Sequence, residues 1–84
     1  MLLINELNEL SDQSRNNINR RFMIYLILKE IDPNTIIEEH DWLFLRNQIL
    51  MLTRTDTLYN ALGKNGRKSF VKQVLDWTNK RGLR

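Results

Sequence analysis

Seven consecutive residues, Phe22-Met23-Ile24-Tyr25-Leu26-Ile27-Leu28, are apolar or aromatic. Wound into a helix, such a run leaves no polar side, which is the pattern of a helix surrounded by other elements. The sequence therefore predicts a central, buried helix. A buried strand would need a partner, and no second strand-like run exists for it to pair with; the flanks are helical. The run is also the longest apolar stretch in the chain. A membrane-spanning helix needs about 20 such residues, so no membrane crossing is expected.

Around this run the chain is broken by one proline and three glycines among its 84 residues. Leu3, Leu7 and Leu10 fall on one side of a helix with Ile4 beside them, and Asn5, Glu6, Asn8 and Glu9 lie opposite. This predicts a short amphipathic helix over residues 2–10. Ser11 is the expected N-cap of the second helix, with Asp12 in its first turn, and that helix carries the apolar run to about residue 30. Asp32-Pro33 reads as a cap followed by proline at the first helical position, opening a short helix over 33–39. Asp41 precedes another helix over 42–53, and Thr55 or Asp56 caps one ending at Ala61-Leu62. Gly63 is expected to close that helix in the left-handed conformation, with Gly63-Lys64-Asn65-Gly66 as a turn. The last helix is expected over 67–80, ended by Gly82. On it Phe70, Val71, Val74, Leu75, Trp77 and Thr78 fill one arc, and Lys68, Ser69, Lys72, Gln73, Asp76 and Lys80 the other. The expected fold is all-α, an irregular compact bundle of five or six short helices forming one domain over residues 1–84. Its expected core is Phe22, Tyr25, Leu26, Trp42, Leu45, Ile49, Leu52, Leu58, Phe70, Val74 and Trp77.

Length and residue content narrow the chemistry. A chain of this size buries only roughly 60–65% of its unfolded surface, so a partner or a second copy would add stability. There is no cysteine, hence no disulfide framework and no thiolate metal site. With no basic leader at the N-terminus, this points to a complete small cytoplasmic protein. The richness in Asn, Ile and Leu suggests an AT-rich coding sequence, as in phages and low-GC bacteria. Nucleophilic catalysis needs an activated nucleophile beside a base, and the only histidine is His40. Ser11, Ser14 and Ser69 sit where caps or solvent faces are expected. Glu38-Glu39-His40-Asp41 is the one ligand-rich cluster, but neighbouring positions on a helix point apart. Gly66-Arg67-Lys68-Ser69 fails as a phosphate-binding loop, because a residue separates Gly66 from Lys68 and no strand precedes it. The expectation is a non-enzymatic protein with no cofactor and no metal.

Charge then selects the candidate surfaces. Residues 64–84 hold seven basic groups against Asp76, a net +6, whereas residues 1–63 hold six basic and nine acidic groups, a net −3. Such asymmetry points to an anionic partner. The first candidate surface is Lys64, Arg67, Lys68, Lys72, Lys80 and Arg81, with free N–H groups expected near Gly66–Ser69 at the start of the last helix. The second is Arg15, Asn19 and Arg20, with Asn16, on the polar half of the second helix; Arg and Asn hydrogen-bond bases, phosphates or acidic side chains. The third is Leu3, Leu7 and Leu10, an apolar face suited to core packing or to another chain, including a homodimer. Residues 56–80 have the outline of a helix-turn-helix, but Ala61 stands two positions before Gly63 where that motif has a small residue four before. The leading expectation is a small regulator, inhibitor or adaptor that meets an acidic protein through its basic C-terminal helix. The alternative is a nucleic-acid-binding protein using residues 64–84 on phosphates. Aromatic residues could serve the latter as stacking platforms, though at helical spacing among leucines they read as core.

Overall fold

The computed structural model describes residues 1–80. They form four α-helices: α1 (Leu3–Gln13), α2 (Ile18–Leu28), α3 (Glu39–Leu52) and α4 (Asp56–Lys80). The fold is all-α, as the periodicity requires, but with four helices rather than five or six. Two local choices account for the lower count.

The first concerns residues 33–38, which are not helical. Asp32 does cap, but it caps a turn: its Oδ1 accepts the Asn34 N–H at 2.8 Å, and its carbonyl accepts the Thr35 N–H at 3.0 Å. This is the Asx-turn chemistry that aspartate also favours. The following β-branched Ile36 and Ile37 are drawn to the chain start instead. Leu2 and Ile36 form an isolated antiparallel bridge. The Ile37 N–H donates to the Met1 carbonyl at 2.9 Å and the Leu3 N–H to the Thr35 carbonyl at 3.0 Å, while the Met1 ammonium donates to the Ile37 carbonyl at 3.2 Å. Helix α1 has no side-chain N-cap; this backbone pairing occupies Leu3, one of its otherwise orphaned donors.

The second lies in α4. Gly63 has φ 66° and ψ 178°, a conformation essentially restricted to glycine. It kinks the helix as the sequence suggests, but helical geometry resumes at Lys64 without a four-residue turn. The two segments meet at this one residue, without the four-residue turn of the expected helix-turn-helix outline. Gly66–Ser69 fall in the first two turns of the helical segment that begins at Lys64. The expected stop at Gly82 falls outside the described residues.

The boundary between α1 and α2 also moves. Ser11 continues α1, and the cap of α2 is Asn17, whose Oδ1 accepts the Arg20 N–H at 2.9 Å. All four helices contribute to one core. It contains Leu3, Leu7 and Leu10 of α1, Ile24 and Ile27 of α2, Trp42, Leu45 and Ile49 of α3, and Val71 and Val74 of α4, joined by Ile31 and Ile37 from the connection. Of the expected core, Trp42, Leu45, Ile49 and Val74 are buried, and Leu26, Phe70 and Trp77 pack against them partly buried. Leu52 is intermediate. Phe22, Tyr25 and Leu58 are exposed. The α2 run is thus buried only through Met23, Ile24 and Ile27. Helices α1, α3 and α4 all pack on α2, yet three neighbours in so short a chain do not enclose it. No helix among the described residues is long and apolar enough to cross a membrane.

Candidate functional site

Helix α2 ends beside the middle of α4, and a groove of about 340 Å3 opens between them. Leu26, Val71 and Leu75 form its apolar floor, and Lys29, Lys68 and Lys72 stand around it with Glu30. Lys68 and Lys72 are one turn apart on α4, at the spacing that places side chains on the same face. Lys29 comes from the opposite wall, at the C-cap of α2, where a cation also complements the negative end of the helix dipole. The groove therefore combines three ammonium groups, one carboxylate and an aliphatic base.

The groove continues into an apolar stripe on α2. Ile18, Phe22 and Tyr25, at i, i+4 and i+7, are 77%, 47% and 52% exposed. Phe22 and Tyr25 lie with ring centroids 6.2 Å apart and tilted by 30°. The Lys29 Nζ sits 5.4 Å from the Tyr25 ring centroid, within cation–π reach. Tyr25 and Lys29 thus link the stripe to the lysine rim.

Among the residues of the first predicted surface, the fold brings Lys68 and Lys72 into the groove. Lys64 is exposed one turn before Lys68 and extends the same line. Arg67 is turned away from it: its guanidinium carbon lies 4.9 Å from the ring centroid of buried Tyr59. Lys80 is exposed two turns beyond Lys72, at the end of α4. Arg81 lies outside the described residues.

The second predicted surface is largely consumed by folding. The Arg20 Nε donates to Thr53 Oγ1 at 2.9 Å, and an Arg20 terminal nitrogen lies 3.4 Å from Ser14 Oγ. The Asn19 amide donates to Asp56 Oδ1 at 2.8 Å, and the Asn17 amide donates to the Thr53 carbonyl at 2.9 Å. These bonds clamp the α1–α2 turn to the α3–α4 turn. Desolvation by burial, and then the like charge of Arg46, push the Arg20 pKa below its usual value. That is the signature of a cation recruited into structure. Arg15 alone of the three is exposed. The third surface is likewise engaged, because Leu3, Leu7 and Leu10 are 0%, 0% and 3% exposed. Their apolar face packs inside the chain and is not free to meet another.

At the α3 start, His40 Nδ1 lies 3.4 Å from a Glu38 carboxylate oxygen, and His40 Nε2 lies 3.4 Å from Asp41 Oδ1. The imidazole is bracketed by two acids that linear spacing alone would separate, because Glu38 precedes the helix in extended conformation. Among the described residues, no group of three histidine or carboxylate side chains could hold a metal ion.

Lys29, Leu26 and Glu30 were not legible as site residues, because they are distant in sequence from α4 and meet it only through helix packing. The exposure of Phe22 and Tyr25 had one usable signal: a chain of 84 residues cannot surround a helix on all sides. No family model, curated protein or solved structure matches this chain, so the reading of the site rests on its own residues.

Proposed function

We propose that this chain is a non-enzymatic binding protein of the regulatory, inhibitory or adaptor kind, working in the cytoplasm. It docks an acidic, apolar-bearing segment of a partner protein along the α2–α4 groove. The observation that carries this reading is the convergence of Lys29 with Lys68 and Lys72 over the floor of Leu26, Val71 and Leu75. Rim lysines supply steering and charge complementarity, and the aliphatic floor and the Phe22–Tyr25 stripe supply area to bury. A phosphate backbone would use the first and leave the second wet. Glu30 and the C-terminal end of α2 also work against a bare polyanion, while a segment with its own apolar residues and a few carboxylates fits both parts.

The test is a titration of labelled probes into the intact protein. One probe is an amphipathic helical peptide with glutamates flanking a leucine stripe; the others are single- and double-stranded DNA and RNA. The peptide is expected to bind more tightly than the nucleic acids. Its affinity should fall with salt, and at least about 10-fold in the variant carrying Lys68→Glu and Lys72→Glu. Tight nucleic-acid binding with a salt slope reporting several phosphate contacts, and none to the peptide, would replace this reading with the nucleic-acid one.

A further inference from the structure

The lysine groove holds one charge of the wrong sign for an anionic partner. Glu30 lines it beside Lys29, Lys68 and Lys72, and all four residues are exposed. Although three ammonium groups share the groove with it, Glu30 forms no ion pair with any of them. The adjacent Lys29 reaches back one turn instead, its Nζ 5.4 Å from the Tyr25 ring centroid. Helix α2 does not employ the carboxylate either. Glu30 stands one residue past the Lys29 C-cap, at the end of the helix where the dipole is negative and an acid is disfavoured. Neither helix stability nor an intramolecular ion pair uses this acid, so it is available to whatever enters the groove.

The two walls of the groove therefore call for different chemistry. The α4 wall presents Lys68 and Lys72, one turn apart. The α2 wall ends in Glu30, with Lys29 drawn toward Tyr25. A helix laid between them sets its apolar stripe on Leu26, Val71 and Leu75 and turns one flank to each wall. Carboxylates at i and i+4 on one flank match the spacing of Lys68 and Lys72. A carboxylate on the other flank, opposite Glu30, would bring like charges together, and such a juxtaposition suppresses a partner as surely as a clash does. Resting on the docking of an acidic, apolar-bearing segment proposed above, we infer that the partner helix is asymmetric in charge. It is acidic along the flank that meets α4 and carries a lysine or arginine on the flank that meets Glu30. Glu30 is the specificity residue of the groove: it selects a helix of mixed charge over a uniformly acidic one.

Fluorescence anisotropy on the full chain tests this with a set of labelled helical peptides. All share one leucine stripe flanked by glutamates, and each replaces a single glutamate of one flank by lysine, at a different position in each peptide. The peptides have the same net charge, so long-range attraction to the lysine rim is the same for all and differences between them are local. In the wild type one position should stand out, its peptide binding at least about 5-fold tighter than the rest. Glu30→Gln should remove that advantage, and Glu30→Lys should make the same peptide the weakest of the set. Both variants should keep the wild-type circular dichroism and melting, because Glu30 is exposed and makes no ion pair. Peptides that all bind alike, or a preferred position that persists unchanged in Glu30→Gln, overturn the inference and leave the proposed docking standing. If no peptide binds while nucleic acids do, the proposed function itself fails and this inference falls with it.

Discussion

Thr53 shows how much structural work one hydroxyl can do in so small a fold. It is 2% exposed; its Oγ1 donates to the Ile49 carbonyl at 2.6 Å and accepts from the Arg20 Nε at 2.9 Å. Its own carbonyl takes the Asn17 amide. The α3 end, the α2 cap and the Arg20 guanidinium therefore meet at a single residue. Replacing Thr53 with valine keeps the shape and removes the hydroxyl, leaving the half-buried Arg20 Nε without that acceptor. Thr53→Val is expected to cost about 1–3 kcal/mol, read as a lower midpoint in urea denaturation, with peptide binding at the lysine groove unchanged. The polarity of Arg15, Asn19 and Arg20 is plain in the sequence, but Arg15 lies in the turn before α2 and does not share a helix with the other two. Whether such residues face a partner or another turn of the same chain depends on what lies opposite. Here Thr53 and Asp56 lie opposite, more than thirty positions away, and no local pattern announces them.

At the scale of elements, the punctuation of the chain was legible and its consequences were not. Gly63 reads as a left-handed position from its place after Ala61-Leu62. The structure puts it at positive φ, with open space where a Cβ would stand. Gly63→Ala therefore meets no steric neighbour, and its cost is backbone strain alone. It should lower stability by about 1–3 kcal/mol, measurable by chemical denaturation. Asp32-Pro33 illustrates the other outcome. Aspartate caps a helix or an Asx-turn with the same oxygen, and the choice was made by residues far away, where Met1 and Leu3 bond the backbone of Ile37 and Thr35. The amphipathic stripe of α1 was clear from spacing, and its destination was settled by the same pairing, which anchors α1 over the core. Leu7, with 0% exposure, is the centre of that stripe. Leu7→Ala is expected to cost about 2–5 kcal/mol, seen as a large drop in melting temperature.

For the whole molecule, the balance of surface and volume explains both the fold and its candidate sites. The described residues have a Cα radius of gyration of 12.1 Å, close to the roughly 12 Å expected of a compact chain of this length. Within that volume one core is formed, and six of the large apolar residues left exposed lie on two faces. One face carries Ile18, Phe22 and Tyr25 and runs into lysines; the other carries Leu43, Phe44 and Met51 and is bordered by amides. The charge asymmetry along the sequence located the basic helix but not its use, because Arg67 folds onto Tyr59 while Lys29 arrives from α2. The central claim is that α2 and α4 build a single binding surface. The most direct measurement is the affinity of the acidic amphipathic peptide for Lys29→Glu beside Lys68→Glu, with circular dichroism confirming that both remain folded. A shared site predicts that the two single variants weaken binding by comparable factors, and that the double variant departs from additivity, as neighbouring residues in one site do. Full affinity in Lys29→Glu, with loss only in Lys68→Glu, would contradict the account and leave α4 as a basic helix acting alone.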